Sequence, residues 1–213
     1  MTCRLLSTEY LFHVENQPKN GTYMIVDLEM TGLNPFQHGV IEVGAMVLDD
    51  QFEIVGEFFM DLCPPDNIII DPKALEYNGF TLDRIASGKS YEEFCDYFDA
   101  FYETYFGTER KPIFVGQFIA ADLAFLSSIF ANARRHKLYD KLWNDIIDTK
   151  SIANQANAIA RYNKIPLPFK STSLSKPGGI ADMLHITDYQ AHTARGDIMA
   201  TRQALLKFLK FKR

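Results

Sequence analysis

Ile25-Val26-Asp27-Leu28-Glu29-Met30-Thr31-Gly32 sets two carboxylates into a run that otherwise reads as core. Tyr23 to Val26 is apolar and partly β-branched, and Gly32 punctuates the far end, so the run predicts a buried strand. Side chains alternate with a period of two along a strand, which puts Asp27 and Glu29 on one face. Like charges placed so close repel and are costly to desolvate, and a divalent cation between them relieves both effects. Ligation by oxygen alone favours a hard ion, magnesium or manganese, over zinc. The alternative is a strand end at which both acids simply face water, and this stretch alone does not separate the two.

Outward from this strand, Val40 to Leu48 and Glu53 to Met60 read as further strands, joined by a polar Asp49-Asp50-Gln51 connection suited to a hairpin. Pro72 to Tyr77 reads as a short helix ending near Gly79, and Thr81 or Ser90 is placed to cap the next helix. Phe94, Tyr97, Phe98, Phe101, Tyr102 and Tyr105 recur at three- and four-residue spacing, so Tyr91 to Phe106 predicts an amphipathic helix. Pro112 to Val115 suits a buried strand and Ala120 to Ala133 a helix. Ile146 to Asp148 suits a short strand and Ile152 to Tyr162 a helix. Asn163 to Gly179, rich in Pro, Ser and Lys, reads as a loop, and a last helix is expected from about Thr193 to Phe211. Early strands, then strands alternating with helices, predict an α/β domain with a mixed sheet. Residues 1–21 read as a polar lead-in, and residues 22–213 as a single domain.

The 213 residues are 47% apolar, enough for one sizeable core. No apolar run approaches the ~20 residues that cross a bilayer, so no membrane association is expected. The first residues lack a basic start leading into an apolar run, and no signal peptide is expected. Cys3, Cys63 and Cys95 are odd in number and widely spaced, which fits a reducing cytoplasm and argues against a disulfide framework or a zinc site. The net charge of −5 gives no bulk attraction for nucleic acid. Such a partner would be held by a local basic patch, by aromatic stacking, or by metals that invert the charge of a site.

Two later segments give the acidic pair a context. Asp122 opens a helical stretch after the Pro112 to Val115 strand, in Gly116-Gln117-Phe118-Ile119-Ala120-Ala121-Asp122. His192-Thr193-Ala194-Arg195-Gly196-Asp197 sets a histidine and an aspartate at the start of the final helix. Asp148 ends a strand, with nothing to force it into the same site. Taken in order, DxExTG, the segment carrying Asp122, and HxAxxD resemble the DEDDh 3′→5′ exonucleases, which include ribonuclease T, oligoribonuclease and the proofreading subunit of the bacterial replicative polymerase. The resemblance runs from about Tyr23 to Leu206. Asp27 to Pro35 is similar to oligoribonuclease, and Asp71 to Gly79 looks more like ribonuclease T. Phe118 and Ala121 depart from the pattern, which usually carries Asn and Phe at those positions.

The resemblance implies a ribonuclease H-like fold, a mixed five-stranded sheet flanked by helices. It implies that Asp27, Glu29, Asp122 and Asp197 converge on two divalent metal ions, Mg²⁺ or Mn²⁺, which can clamp the attacking and leaving oxygens of a phosphodiester. His192 would be the general base, releasing nucleoside 5′-monophosphates from the 3′ end of single-stranded RNA or DNA, with RNA favoured. A homodimer is implied as well. Met30 and Thr31, with Leu33 behind them, come directly after the first acids and are placed to meet the terminal nucleotide, although Met30 reads equally as core. Phe118 is a candidate to stack on a base, whereas Phe125 reads as core. The lysines at 164, 170 and 176 rank above the basic helix ends, Arg134 to Lys137 and Lys207 to Arg213, as a backbone clamp. His185 reads as a partly buried structural histidine. The competing readings are a DNA proofreading or repair exonuclease, a non-catalytic nucleic-acid-binding domain on the same fold, and an unrelated α/β protein with coincidental surface acids.

Overall fold

The run from Tyr23 to Met30 forms β1, the middle strand of a five-stranded sheet with the order β3-β2-β1-β4-β5. The structure is a computed structural model that describes residues 20–142 and 145–210. Most of the expected lead-in, with Cys3 and His13, lies outside the described residues, as do Phe211, Lys212 and Arg213. β2 (Val40–Leu48) pairs antiparallel with β1, and β3 (Ile54–Asp61) antiparallel with β2. β4 (Ile113–Gly116) and β5 (Ile146–Asp148) run parallel to β1. This is the mixed five-stranded sheet of the ribonuclease H-like fold.

Strand alternation divides the core into two layers. Met24, Val26 and Leu28 of β1 pack with Phe94, Phe98 and Phe101 of α3 (Tyr91–Phe106) and with Ile129 and Phe130 of α4 (Ile119–Asn132). On the other face Ile25, Met46 and Val115 pack with Ile198 and Leu205 of α7 (Ala194–Leu209). Phe94, Phe98, Phe101, Tyr102 and Tyr105 of the α3 stripe are buried in this chain's own core, whereas Tyr97 is exposed. Asp27 and Glu29 share the Ile25 face of the strand, so both look toward α7.

Helix ends obey the local capping chemistry. Asp71 caps α1 (Pro72–Asn78), which Gly79 closes in a left-handed turn at φ 72°. Both candidate caps are used: Thr81 starts α2 (Leu82–Ala86), and Ser90 starts α3 in a reciprocal capping box with Glu93. α2 and the four-residue α6 (Ile180–Met183) are too short to show a period in the sequence. Asp148 caps α5 (Thr149–Tyr162), which begins three residues before the apolar period shows it. The 163–179 segment is knit rather than loose: the Asn157 amide brackets Phe169 through both its oxygen and its nitrogen, and Ser171 N–H bonds to Gly178 O.

His185 corrects an expectation. It is exposed, with its backbone at φ 54°, because the chain turns there directly after α6. Cys63 and Cys95 are free thiols, and burial pushes the Cys95 thiol up to about 12. Among the described residues no helix is long and apolar enough to cross a membrane.

Candidate active site

The acidic strand and the amino-terminal end of α7 meet because small residues let them approach. Gly44 lies opposite Asp27 in the β1–β2 register. A β-carbon there would sit 2.6 Å from Ile198 Cδ1 and 3.0 Å from Ala194 Cβ, so the bare glycine leaves room for α7 against the sheet. Thr193 caps α7 by accepting from Gly196 N–H, and Asp197 occupies the first turn. One carboxylate oxygen from each of Asp27, Glu29 and Asp197 comes within 4.8 Å of the others.

Asp122 stands beside this trio, outside the 4.8 Å group. It is buried, on the first turn of α4. The Leu28 backbone of β1, beyond the point where β4 stops pairing, opposes the rise that burial imposes on the Asp122 carboxyl. Asp148 is a neighbour of Asp122 but is committed elsewhere, accepting from the backbone N–H of Ser151 and of Phe118.

These carboxyls strain against one another. Burial first, then Asp122, Asp197 and Glu29, push the Asp27 carboxyl well above its ordinary range. Burial, Asp197 and Glu42 push Glu29 up to about 8, with Arg84 pulling the other way. Burial raises Asp122 and Asp197 as well, the latter against the opposing pull of His192. Asp197 Oδ1 is buried with no hydrogen-bond donor in reach. An orphaned carboxylate oxygen within a ring of like charge is the arrangement that a divalent cation completes, and all the donors are oxygens suited to a hard ion. The residues present fit such an ion.

His192 adjoins the trio. Its backbone N–H donates to Asp197 Oδ2 at 3.1 Å, its φ is 64°, and its ring lies 4.3 Å from the Tyr77 ring, centroid to centroid. Asp27, Asp197, His192 and Tyr77 line one end of a cleft of about 480 Å³. Gln117, Phe118, Lys150 and the 171–176 segment line the rest. Of the candidate substrate contacts, Phe118 is on this cleft wall. Met30 packs against the core and gives its carbonyl to Asn78. Thr31 is fully buried, its hydroxyl donating to Ile69 O and accepting from Gly39 N–H. Leu33 is exposed. Of the basic loop, Lys176 reaches the cleft lining.

Glu42 and Lys150 carry no motif, and nothing in the sequence alone marks them as site residues. Tyr77 lies in the Asp71 to Gly79 stretch that looks like ribonuclease T, and this was the available signal for it.

Residues 24–205 match the RNase T family, described as exonuclease. The chain is 26% identical over 193 residues to a PolC-type DNA polymerase III of Thermotoga petrophila, spanning 90% of this chain and 12% of that polymerase. Among solved structures it is similar to E. coli exonuclease I in complex with a dA16 oligonucleotide, with a TM-score of 0.66 at 20% identity, covering 90% of this chain and 41% of that one. A complex of the same enzyme with a 5cy-dT13 oligonucleotide gives a TM-score of 0.69 at 18% identity, over 87% and 40% of the two chains. The chain thus spans less than half the length of these relatives. With its strands in this order and a family match across nearly all of its sheet and helices, the chain belongs to the RNase T exonuclease family.

Proposed function

We propose that the protein is a 3′→5′ exonuclease that hydrolyses single-stranded nucleic acid to nucleoside 5′-monophosphates. The observation that carries the proposal is the convergence of Asp27, Glu29 and Asp197 within 4.8 Å, beside His192, in an open cleft. Asp27, Glu29 and Asp197 would hold one Mg²⁺ or Mn²⁺, and Asp122 with Asp27 would hold a second. When bound, the cations supply Lewis-acid polarisation of the phosphodiester and ease deprotonation of the attacking water.

The chain's own residues supply the rest. His192 accepts the proton of the water that attacks phosphorus. The bond from phosphorus to the 3′ oxygen of the preceding nucleotide breaks, and that oxygen takes up a proton as it leaves. Tyr77, packed at a tilt against the His192 ring, restricts the imidazole to one orientation. The bond from the His192 backbone N–H to Asp197 holds the turn that carries the base beside the acidic cluster. Resemblance to ribonuclease T and oligoribonuclease points to RNA. The DNA polymerase relative and the DNA-bound exonuclease I structures support DNA, and we propose that both polymers are cut. Resemblance to ribonuclease T and oligoribonuclease supports a homodimer, and cysteine usage supports a cytoplasmic location.

The test is a 5′-labelled single strand, as DNA and as RNA, incubated with Mg²⁺ or Mn²⁺ and with EDTA. The expected result is a metal-dependent ladder shortening from the 3′ end, with 5′-monophosphates as product and loss of the ladder in Asp27→Ala. Internal cuts, or no release from either polymer, would overturn the proposal.

A further inference from the structure

Phe118 holds a conformation that nothing in the core requires. It precedes α4 at φ 65° and ψ 44°, a left-handed region that bulky residues rarely adopt and that asparagine tolerates better. The ring gains little from burial, being 52% exposed. The surrounding backbone fixes it there: Phe118 N–H donates to Asp148 Oδ1 at 3.3 Å, and Phe118 O accepts from Ala121 N–H at 3.0 Å. A strained backbone that presents an exposed aromatic face to a cleft is a mark of functional sites.

Lys150 completes the feature. It sits on the first turn of α5, the end of a helix at which a cation is disfavoured. Its ammonium lies 4.5 Å from the centre of the Phe118 ring. Both side chains line the cleft that holds Asp27, His192 and Asp197. Gln117, also on the cleft lining, donates to Thr172 O at 2.8 Å while accepting from Thr149 Oγ1 at 2.6 Å. A polyanion entering a chain of net charge −5, beside crowded carboxylates, needs a local cation of this kind.

We infer that Phe118 and Lys150 form a nucleotide platform: Phe118 stacks a base near the 3′ end of the single strand, and Lys150 pairs with the adjoining phosphate. Stacking on a ring is tolerant of base identity, so the platform holds the strand without reading its sequence. The inference rests on the exonuclease reading and assigns the strand-holding part of the same cleft.

The test measures binding without turnover, by fluorescence anisotropy of a 5′-labelled oligothymidylate in EDTA. Phe118→Asn relieves the left-handed strain, so its thermal stability matches or exceeds that of the wild type, while binding weakens about tenfold. Phe118→Trp restores binding to within about twofold of wild type, because the larger ring keeps the stack. Lys150→Ala lowers the slope of log Kd against log salt by about 0.7, the share of one phosphate on a single strand. An abasic nucleotide at the stacked position makes wild type and Phe118→Asn bind alike. Equal binding of the intact oligonucleotide by wild type and Phe118→Asn, or an unchanged salt slope in Lys150→Ala, would overturn the platform. Release of mononucleotides by wild type in Mg²⁺ is scored separately. Release with no dependence of binding on Phe118 overturns the platform alone, whereas Phe118-dependent binding without release supports the platform and overturns the exonuclease reading.

Discussion

Glu42 on β2 and Ala194 at the start of α7 are joined by a hydrogen bond: the Ala194 N–H donates to Glu42 Oε2 at 3.0 Å across 152 residues of sequence. The other oxygen of the same carboxylate accepts from Arg84 Nη2 at 3.1 Å. Arg84 in turn makes a two-pronged contact with Asp61, with both bonds at 2.7 Å. Glu42 faces Glu29 directly in the β1–β2 register. It therefore ties the helix that carries Asp197 to β2, the strand paired with the one that carries Asp27 and Glu29, while Arg84 offsets the added negative charge.

Glu42→Ala leaves the Ala194 N–H and one prong of Arg84 without an acceptor. A loss of about 1–3 kcal/mol is expected from these orphaned donors. It is read as a lower urea midpoint at unchanged m-value, together with a fall in kcat as α7 loses its tie to the sheet. Glu42→Gln keeps an acceptor for Ala194 and loses less on both measures. A Glu42→Ala variant as stable as wild type would remove this role.

The raised carboxyls make the stability of the metal-free protein depend on pH, with a definite sign. The folded site favours the neutral form of Glu29, whose pKa rises from 4.5 to about 8. That stabilisation is fully present below the ordinary carboxyl range and is lost as pH rises through about 8. In EDTA, wild type and Glu29→Gln should melt alike near pH ~5, and wild type should fall below Glu29→Gln by pH ~8.5. Mg²⁺ should raise the wild-type melting temperature at the higher pH and move Glu29→Gln less, since a ligand of the folded form stabilises by mass action. Parallel curves at all pH values would mean that the carboxyls do not crowd as described.

Tyr77 is predicted to act through His192. Tyr77→Phe keeps the ring against the imidazole and should retain most activity. Tyr77→Ala frees the imidazole and should lower kcat on the order of tenfold, the scale at which misoriented catalytic groups lose rate. Thermal melting separates this from a general weakening of the fold, because Tyr77 is exposed and its removal should leave the melting temperature unchanged. Equal kcat in Tyr77→Ala and wild type would make the ring contact incidental.

The motif residues were legible because each sits on an element whose period betrays it. Asp27 and Glu29 interrupt an apolar strand, and His192 and Asp197 open a periodic helix. The mixed character of the sheet was legible in early strands giving way to strands that alternate with helices. Glu42 was hidden because a single acid in an apolar strand reads as one solvated position, and its partners Ala194 and Arg84 are assigned only by folding. Thr31 was expected to meet the terminal nucleotide because it comes just after the acids, and its hydroxyl bridges Gly39 N–H and Ile69 O. Tyr77 lies on a short helix with no chemical signature, and its contact with His192 depends on where α1 packs. Lys150 precedes the Ile152 start that the apolar period shows, and only the start of α5 at Thr149 places it on a helix.

Gly196 offers a test of the turn that aims Asp197. A β-carbon at this position would lie 1.8 Å from Gln190 O, a backbone atom that cannot rotate away. Thr193 Oγ1, which donates to that same Gln190 oxygen and accepts the Gly196 N–H, would be 2.8 Å from the new carbon. Gly196→Ala must therefore push the Gln190 to Thr193 turn away from α7, taking His192 with it. The bond from His192 N–H to Asp197 is then lost, and Asp197 no longer meets Asp27 and Glu29. Activity should fall by at least about a hundredfold, the scale of an approximately 1 Å misplacement of catalytic groups. The Mg²⁺-induced rise in melting temperature should shrink at the same time. The core layer of β1, α3 and α4 lies on the opposite face of the sheet and should keep its far-ultraviolet circular dichroism. Full activity in Gly196→Ala would mean that the turn relaxes without moving either side chain, and that the close approach at Gly196 is not what sets the geometry of the site.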